Sequence, residues 1–72
     1  MCLSIPGKVI KIDKNIATID YGSEIRIAST QLHPEVKVGN YVIVSAKLIM
    51  EIVPKKDALK AIMLWRMALK SK

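Results

Sequence analysis

Between Lys8 and Ile52 the apolar residues fall in short runs, mostly at every second position, and polar turns separate the runs. A period of two marks half-buried β-strands rather than helices. Lys8 to Asp13 alternates, with Ile10 and Ile12 expected on one face and Lys11 and Asp13 on the other. Asp13-Lys14-Asn15 reads as a turn, and Ile16 to Tyr21 resumes the alternation with Ala17, Ile19 and Tyr21 on one side. After Gly22-Ser23, Glu24-Ile25-Arg26-Ile27 reads as a third strand with its isoleucines inward. Ser29 to Asn40 has no clear period and contains Pro34 and Gly39, so it is a connection. Tyr41-Val42-Ile43-Val44 is apolar on both faces and should be the most buried strand; Leu48 to Ile52 follows as a fifth. Five strands this short cannot bury their faces as an open sheet. Closure into an all-β small barrel, OB-like, of about five antiparallel strands removes the edges.

Pro54 suits a helix start, and from Lys55 to about Lys70 there is no glycine or proline. The expected domain is therefore single, 1–72, with an arm over 1–7, a barrel over 8–53 and a C-terminal α-helix over 54–70. At about 100° per residue the helix carries two apolar stripes. Ala58, Ala61, Ile62, Leu64, Trp65, Ala68 and Leu69 form a broad arc, assigned to the barrel. Leu59, Met63 and Met67 recur every fourth residue among Lys56, Lys60, Arg66 and Lys70. They either continue the core or form an adaptable partner-binding face, and they are the candidate partner-binding residues of this helix.

At 72 residues the chain holds one small domain. Such a domain buries only about 60 % of its unfolded surface, so an oligomer or partner would add stability. One cysteine excludes an intramolecular disulfide and a Cys/His zinc cluster. No 18-residue apolar run and no signal-peptide layout is present, which reads as a soluble, cytoplasmic protein without membrane contact. Residues 55–72 hold six Lys/Arg against one acidic residue, so five of the six net positive charges lie there. There is no Ser/His/Asp set and no glycine-rich phosphate loop. His33 stands in the connection with no second ligand near it in sequence. Asp13, Asp20, Glu24, Glu35, Glu51 and Asp57 are scattered over turns and polar faces. The chain is read as a carrier or binding module and not as an enzyme.

Cys2 is the remaining chemical group. A side chain this small at position two lets the initiator methionine be trimmed, which would place a thiol beside a free α-amine. The α-ammonium lowers the thiol pKa, and the thiolate is a soft metal ligand suited to iron, copper(I) or zinc. Pro6-Gly7 reads as a turn that ends a thiol-tipped arm. The bland alternative is a lone cysteine acting as a small buried hydrophobe.

The first seven residues, Met1-Cys2-Leu3-Ser4-Ile5-Pro6-Gly7, resemble the N-terminal signature of the HypC/HupF family of [NiFe]-hydrogenase maturation chaperones, Met-Cys-aliphatic-small-aliphatic-Pro-Gly. All seven positions fit, and the resemblance continues more loosely to about Ile52. It implies an OB-like barrel with a C-terminal helix. It also implies a transient Fe(CN)2(CO) unit with nothing permanently bound, Cys2 as the iron (metal) ligand, and Leu3, Ile5 and Pro6 seating the arm in the partner. The implied partners are HypD and the hydrogenase large-subunit precursor. One departure stands out: after the fourth strand the family commonly has His, a small residue, then Gly-Phe, where this chain has Ser45-Ala46-Lys47-Leu48. A basic OB-like barrel could instead bind single-stranded nucleic acid. That rival has few aromatic platforms, only Tyr21, Tyr41 and Trp65, and leaves Cys2 without a task.

Overall fold

In a computed structural model the chain is described from residue 3 to residue 70 by its backbone, and from residue 5 to residue 68 with side chains. The elements are β1 (Leu3–Asp13), β2 (Ile16–Asp20), β3 (Ile25–Ser29), β4 (Tyr41–Ser45), β5 (Leu48–Val53) and α1 (Lys55–Lys70). The strands close into a barrel in the order β1-β2-β3-β5-β4. This is the five-stranded, OB-like barrel with one helix that the alternation implies.

Strand β1 makes closure possible because it is long enough to pair twice. Lys8 to Asp13 run antiparallel to β2, while Leu3 to Lys8 run antiparallel to β4. The seam between β3 and β5 is a parallel contact at Ser29 and Leu48, strengthened where the Ser29 N–H donates to the Lys47 carbonyl at 2.8 Å. The end of the β3–β4 connection joins the wall as well: the Val9 N–H donates to Asn40 O and the Gly39 N–H to Val9 O, both at 2.8 Å.

The expected arm over 1–7 is therefore strand from Leu3 onward, and Pro6-Gly7 makes no turn. Leu3 faces Val44 and Gly7 faces Val42, so the ladder is irregular between them. Proline has no N–H to lose in such a gap. Gly7 serves close approach: a Cβ there would lie 2.4 Å from Ile19 Cγ2 and 2.7 Å from Tyr21 Cε1.

The core is Val9, Ala17, Ile19, Val42 and Ile49, all fully buried, with Ala28 and Val36 beside them. Ala17 and Ile19 point inward as expected, Tyr21 packs at their edge, and β4 is the strand without an exposed residue. Two face assignments are corrected. A bulge between Val9 and Lys11 turns Ile10 outward and Val9 inward, so Ile10 does not share the inner face with Ile12. In β3 the register sets Ala28 opposite Ala17 and Arg26 opposite Ile19, which sends Ile25 and Ile27 to the outer face, each 61 % exposed. Residues directly opposed in a ladder share a face; small Ala28 goes in and the isoleucines go out.

The helix assignment is corrected too. α1 packs along β1. It buries Ala58 and half-buries Ile62, while Leu64 and Trp65 of the broad arc are 59 % and 50 % exposed. The barrel is closed without the helix, so only its first turns find apolar surface to cover.

Truncations should follow this division. Ile49→Ala should cost about 2–5 kcal/mol, the range for a large core aliphatic, whereas Trp65→Ala should stay within about 1 kcal/mol. Gly7→Ala should cost about 1–3 kcal/mol by overpacking against buried Ile19. Urea unfolding of the three variants checks the ranking; a loss at Trp65 as large as at Ile49 would contradict it.

Candidate functional site

Cys2 lies outside the described residues, and Leu3 is described by its backbone alone. Leu3 stands opposite Val44, so the chain joins the barrel beside the two-residue β4–β5 hairpin, where Ser45 pairs with Leu48. The turn residues Ala46 and Lys47 have φ of 52° and 63°. Both lie in the left-handed region, the pairing of a type I′ turn, which favours Asn-Gly because side chains are strained there.

Beside this hairpin, at the rim of the barrel, is a depression of about 550 Å³. Its wall is Ile19, Ile25, Ile27 and Val44, and its charged residues are Arg26 and Lys47. The Arg26 Nε donates to the Glu24 carboxylate, which raises the guanidinium pKa further above neutrality. Tyr21 also lines the depression, and its partial burial raises the phenol pKa, against the opposing effect of Arg26. The arrangement suits a small anion with an apolar side. Single-sequence reading missed Arg26, Lys47 and Tyr21 as a set, because the β2–β3 register and the barrel seam bring them together.

A second depression, about 640 Å³, runs between the barrel and α1. Pro6, Tyr21 and Tyr41 form its barrel side, and Leu59, Ile62, Met63 and Met67 its helix side. Tyr21 is common to both depressions, which therefore adjoin. Of the residues expected to meet a partner, Pro6, Leu59, Met63 and Met67 line this one groove, and Ile5 is half-buried in β1. Leu59, Met63 and Met67 are 44–61 % exposed, so they form an open apolar face beside Arg66 and Lys8.

His33 belongs to the frame. Its Nδ1 lies 3.1 Å from Glu35 Oε2 and its Nε2 lies 3.0 Å from the Met50 carbonyl, tying the β3–β4 connection to β5. Both partners are acceptors, so the doubly protonated imidazolium satisfies both. The Glu35 hydrogen bond, then the Met50 carbonyl, raise the His33 pKa, and the same bond holds the Glu35 carboxyl below its usual range. Among the described residues no group of three His, Cys, Asp or Glu is placed to hold a metal ion. Also among them, no helix is long and apolar enough to cross a membrane.

The model of the HupF/HypC family matches residues 1–65. A hydrogenase maturation factor HypC from Synechocystis sp. is 36 % identical over 64 residues, covering 81 % of this chain and 84 % of that protein. Another protein of that name, from Helicobacter hepaticus, is 34 % identical over 73 aligned positions, covering 99 % of this chain and 85 % of the relative.

The His33 geometry has a signed pH consequence. A raised histidine pKa contributes stability that is fully present below the unfolded value near 6.5 and is lost as pH rises through the folded value. The lowered Glu35 pKa contributes above about 4.5 and is lost as pH falls through its folded value. Measured against His33→Gln, the wild-type chain should gain stability from about pH 8 down to about pH 5.5. Paired melts across that range check the sign, and an NMR titration of the imidazole should place its pKa above 6.5.

Proposed function

The chain belongs to the HupF/HypC family, and from that membership we propose that it is a hydrogenase maturation chaperone. It helps hold the Fe(CN)2(CO) unit through Cys2 and delivers it, working with HypD, to the [NiFe]-hydrogenase large-subunit precursor. The observation that carries this reading is the family match over residues 1–65, which contains the full N-terminal heptad with its single cysteine. Soft thiolate suits low-spin iron bearing cyanide and carbon monoxide. A lone protein ligand also suits a carrier, since no cage of ligands has to be dismantled at hand-over. The role is transfer and not catalysis.

The β1–β4 pairing supports the assignment of roles along the arm. Leu3 is held against Val44, so the barrel is a rigid handle up to the residue that follows Cys2. The groove at Pro6, Leu59, Met63 and Met67 then serves as the partner face, with methionine adapting to an irregular surface. Ser45, where the family commonly has histidine, cannot take up a proton near neutral pH.

The decisive measurement is an infrared spectrum of protein purified together with its endogenous partners. Cyanide and carbonyl stretches should be present with the wild-type chain and absent with Cys2→Ser, while the melt of Cys2→Ser stays within about 0.5 kcal/mol of wild type. Full hydrogenase maturation by Cys2→Ser, or nucleic acid in place of the iron unit, would overturn the reading. Met63→Gln with Met67→Gln should keep the fold and weaken HypD binding. Added salt should weaken binding as well, because exposed charges beside the groove are screened beyond about 8 Å at physiological ionic strength.

A further inference from the structure

The depression beside the β4–β5 hairpin combines two properties that rarely coincide on so small a barrel. Its wall is Ile25, Ile27 and Val44, and its cations are Lys47 and Arg26, the latter with its Nε already donating to the Glu24 carboxylate and its terminal N–H groups left for a ligand. Val44 is also the residue that Leu3 faces across the β1–β4 ladder, so the pocket adjoins the point where the chain joins the barrel. Lys47 is held there in a conformation that disfavours it, with φ of 63°. Glycine would satisfy the same turn without strain, whereas lysine adds a cation. Ala46 and Lys14 have similar φ, 52° and 57°, so it is the placing of the Lys47 cation beside an apolar wall, and not the strain alone, that points to a role. The turn is also fixed in place: Lys47 O accepts from the Ser29 N–H at 2.8 Å, which ties the hairpin to β3.

We infer that Arg26 and Lys47 form an anion cradle for the cyanide ligands of the cargo, with Ile25, Ile27 and Val44 receiving its carbonyl side. The inference rests on the carrier reading above and adds the protein groups that recognise the cargo. A metal-bound cyanide carries negative charge on its nitrogen and accepts hydrogen bonds, whereas a metal-bound carbonyl is a poor acceptor that loses little against hydrocarbon. The pocket offers a partner to each ligand type. An ammonium or guanidinium beside an apolar wall also attracts an anion more strongly than one in open water. Poorly hydrated cyanometallate anions should therefore be preferred to strongly hydrated ones of similar charge.

The test uses tetracyanoplatinate(II), a poorly hydrated dianion, as the probe and sulfate, a strongly hydrated dianion, as the comparator, titrated into the full chain and followed by amide NMR shifts. Tetracyanoplatinate should give saturable shifts over 25–27 and 44–47, at lower concentration than sulfate. Lys47→Gln and Arg26→Gln should each weaken tetracyanoplatinate binding about two- to fivefold, the scale of an exposed charge pair. Lys47→Gly should weaken binding equally while raising the melting temperature by about 3–5 °C, because the turn strain is relieved. Shifts confined to the cations of α1, equal response to sulfate, or unchanged affinity in the variants would each overturn the cradle. None of those results bears on the infrared bands of wild type and Cys2→Ser, so the carrier reading fails or stands separately.

Discussion

The double pairing of β1 is the constraint on which the rest of the molecule depends. One strand of 11 residues supplies a ladder to β2 with its second half and to β4 with its first. A straight strand cannot serve both neighbours of a small closed barrel; it has to bend and coil between them. Two irregularities accomplish this, one between Val9 and Lys11 and one between Leu3 and Gly7. Bulges add local twist to a strand, which is what closure requires. At the crossing, Gly7 lets Ile19 and Tyr21 lie against the β1 backbone. The dipeptide Pro6-Gly7 is thus part of the barrel wall, and the family heptad encodes closure as well as a thiol.

Closure leaves a small core and a generous apolar surface. Seven buried residues make up the main cluster, and α1 adds Ala58. Ile25, Ile27, Leu32, Val38, Met63, Leu64, Trp65 and Met67 remain half or more exposed. A chain of this size has too little interior to take them in. Four of these eight border a depression: the isoleucines flank the one at the β4–β5 hairpin, and Met63 and Met67 flank the helix groove. Apolar surface gathered around concave, cation-bearing sites is surface for binding.

How much of this was legible in the chain depends on whether the physics was local. The period of two revealed β1, β2 and β3, the short apolar runs revealed β4 and β5, and the inward side of β2 followed directly because Ala17 and Ile19 sit in an uninterrupted ladder. Ile10 was misplaced because one extra residue at a bulge inverts every side chain before it, and a bulge leaves no mark in apolar periodicity. Ile25 and Ile27 were misplaced because the β2–β3 register turned the smaller Ala28 inward. The helical wheel gave the whole broad arc to the barrel, yet only Ala58 and Ile62 of it are covered, Leu64 and Trp65 are exposed, and Leu59, Met63 and Met67 line the groove beside Ile62; that depends on where β1 runs beneath α1. Of the candidate residues, Leu59, Met63 and Met67 were picked out by their spacing and do line one groove, while Cys2 lies outside the described residues. Arg26, Lys47 and Tyr21 became neighbours only through strand order.

The hairpin shows how closure and chemistry share one segment. Only Ser29 and Leu48 pair between β3 and β5, so the seam leans on the turn that precedes Leu48. The hydrogen bond from the Ser29 N–H to Lys47 O means that the turn cannot relax without loosening the seam. Positive φ at Ala46 and Lys47 is therefore imposed by the barrel and is not a local preference of those residues. Under that imposition glycine would be the least strained choice at position 47, and it would leave the backbone bond to Ser29 intact. What lysine contributes beyond glycine is a cation on a turn tied to β3, beside an apolar wall that includes Val44. Ala46 beside it accepts the same left-handed backbone without a charge, so the barrel sets the strain and the side chain at position 47 sets only what the turn presents.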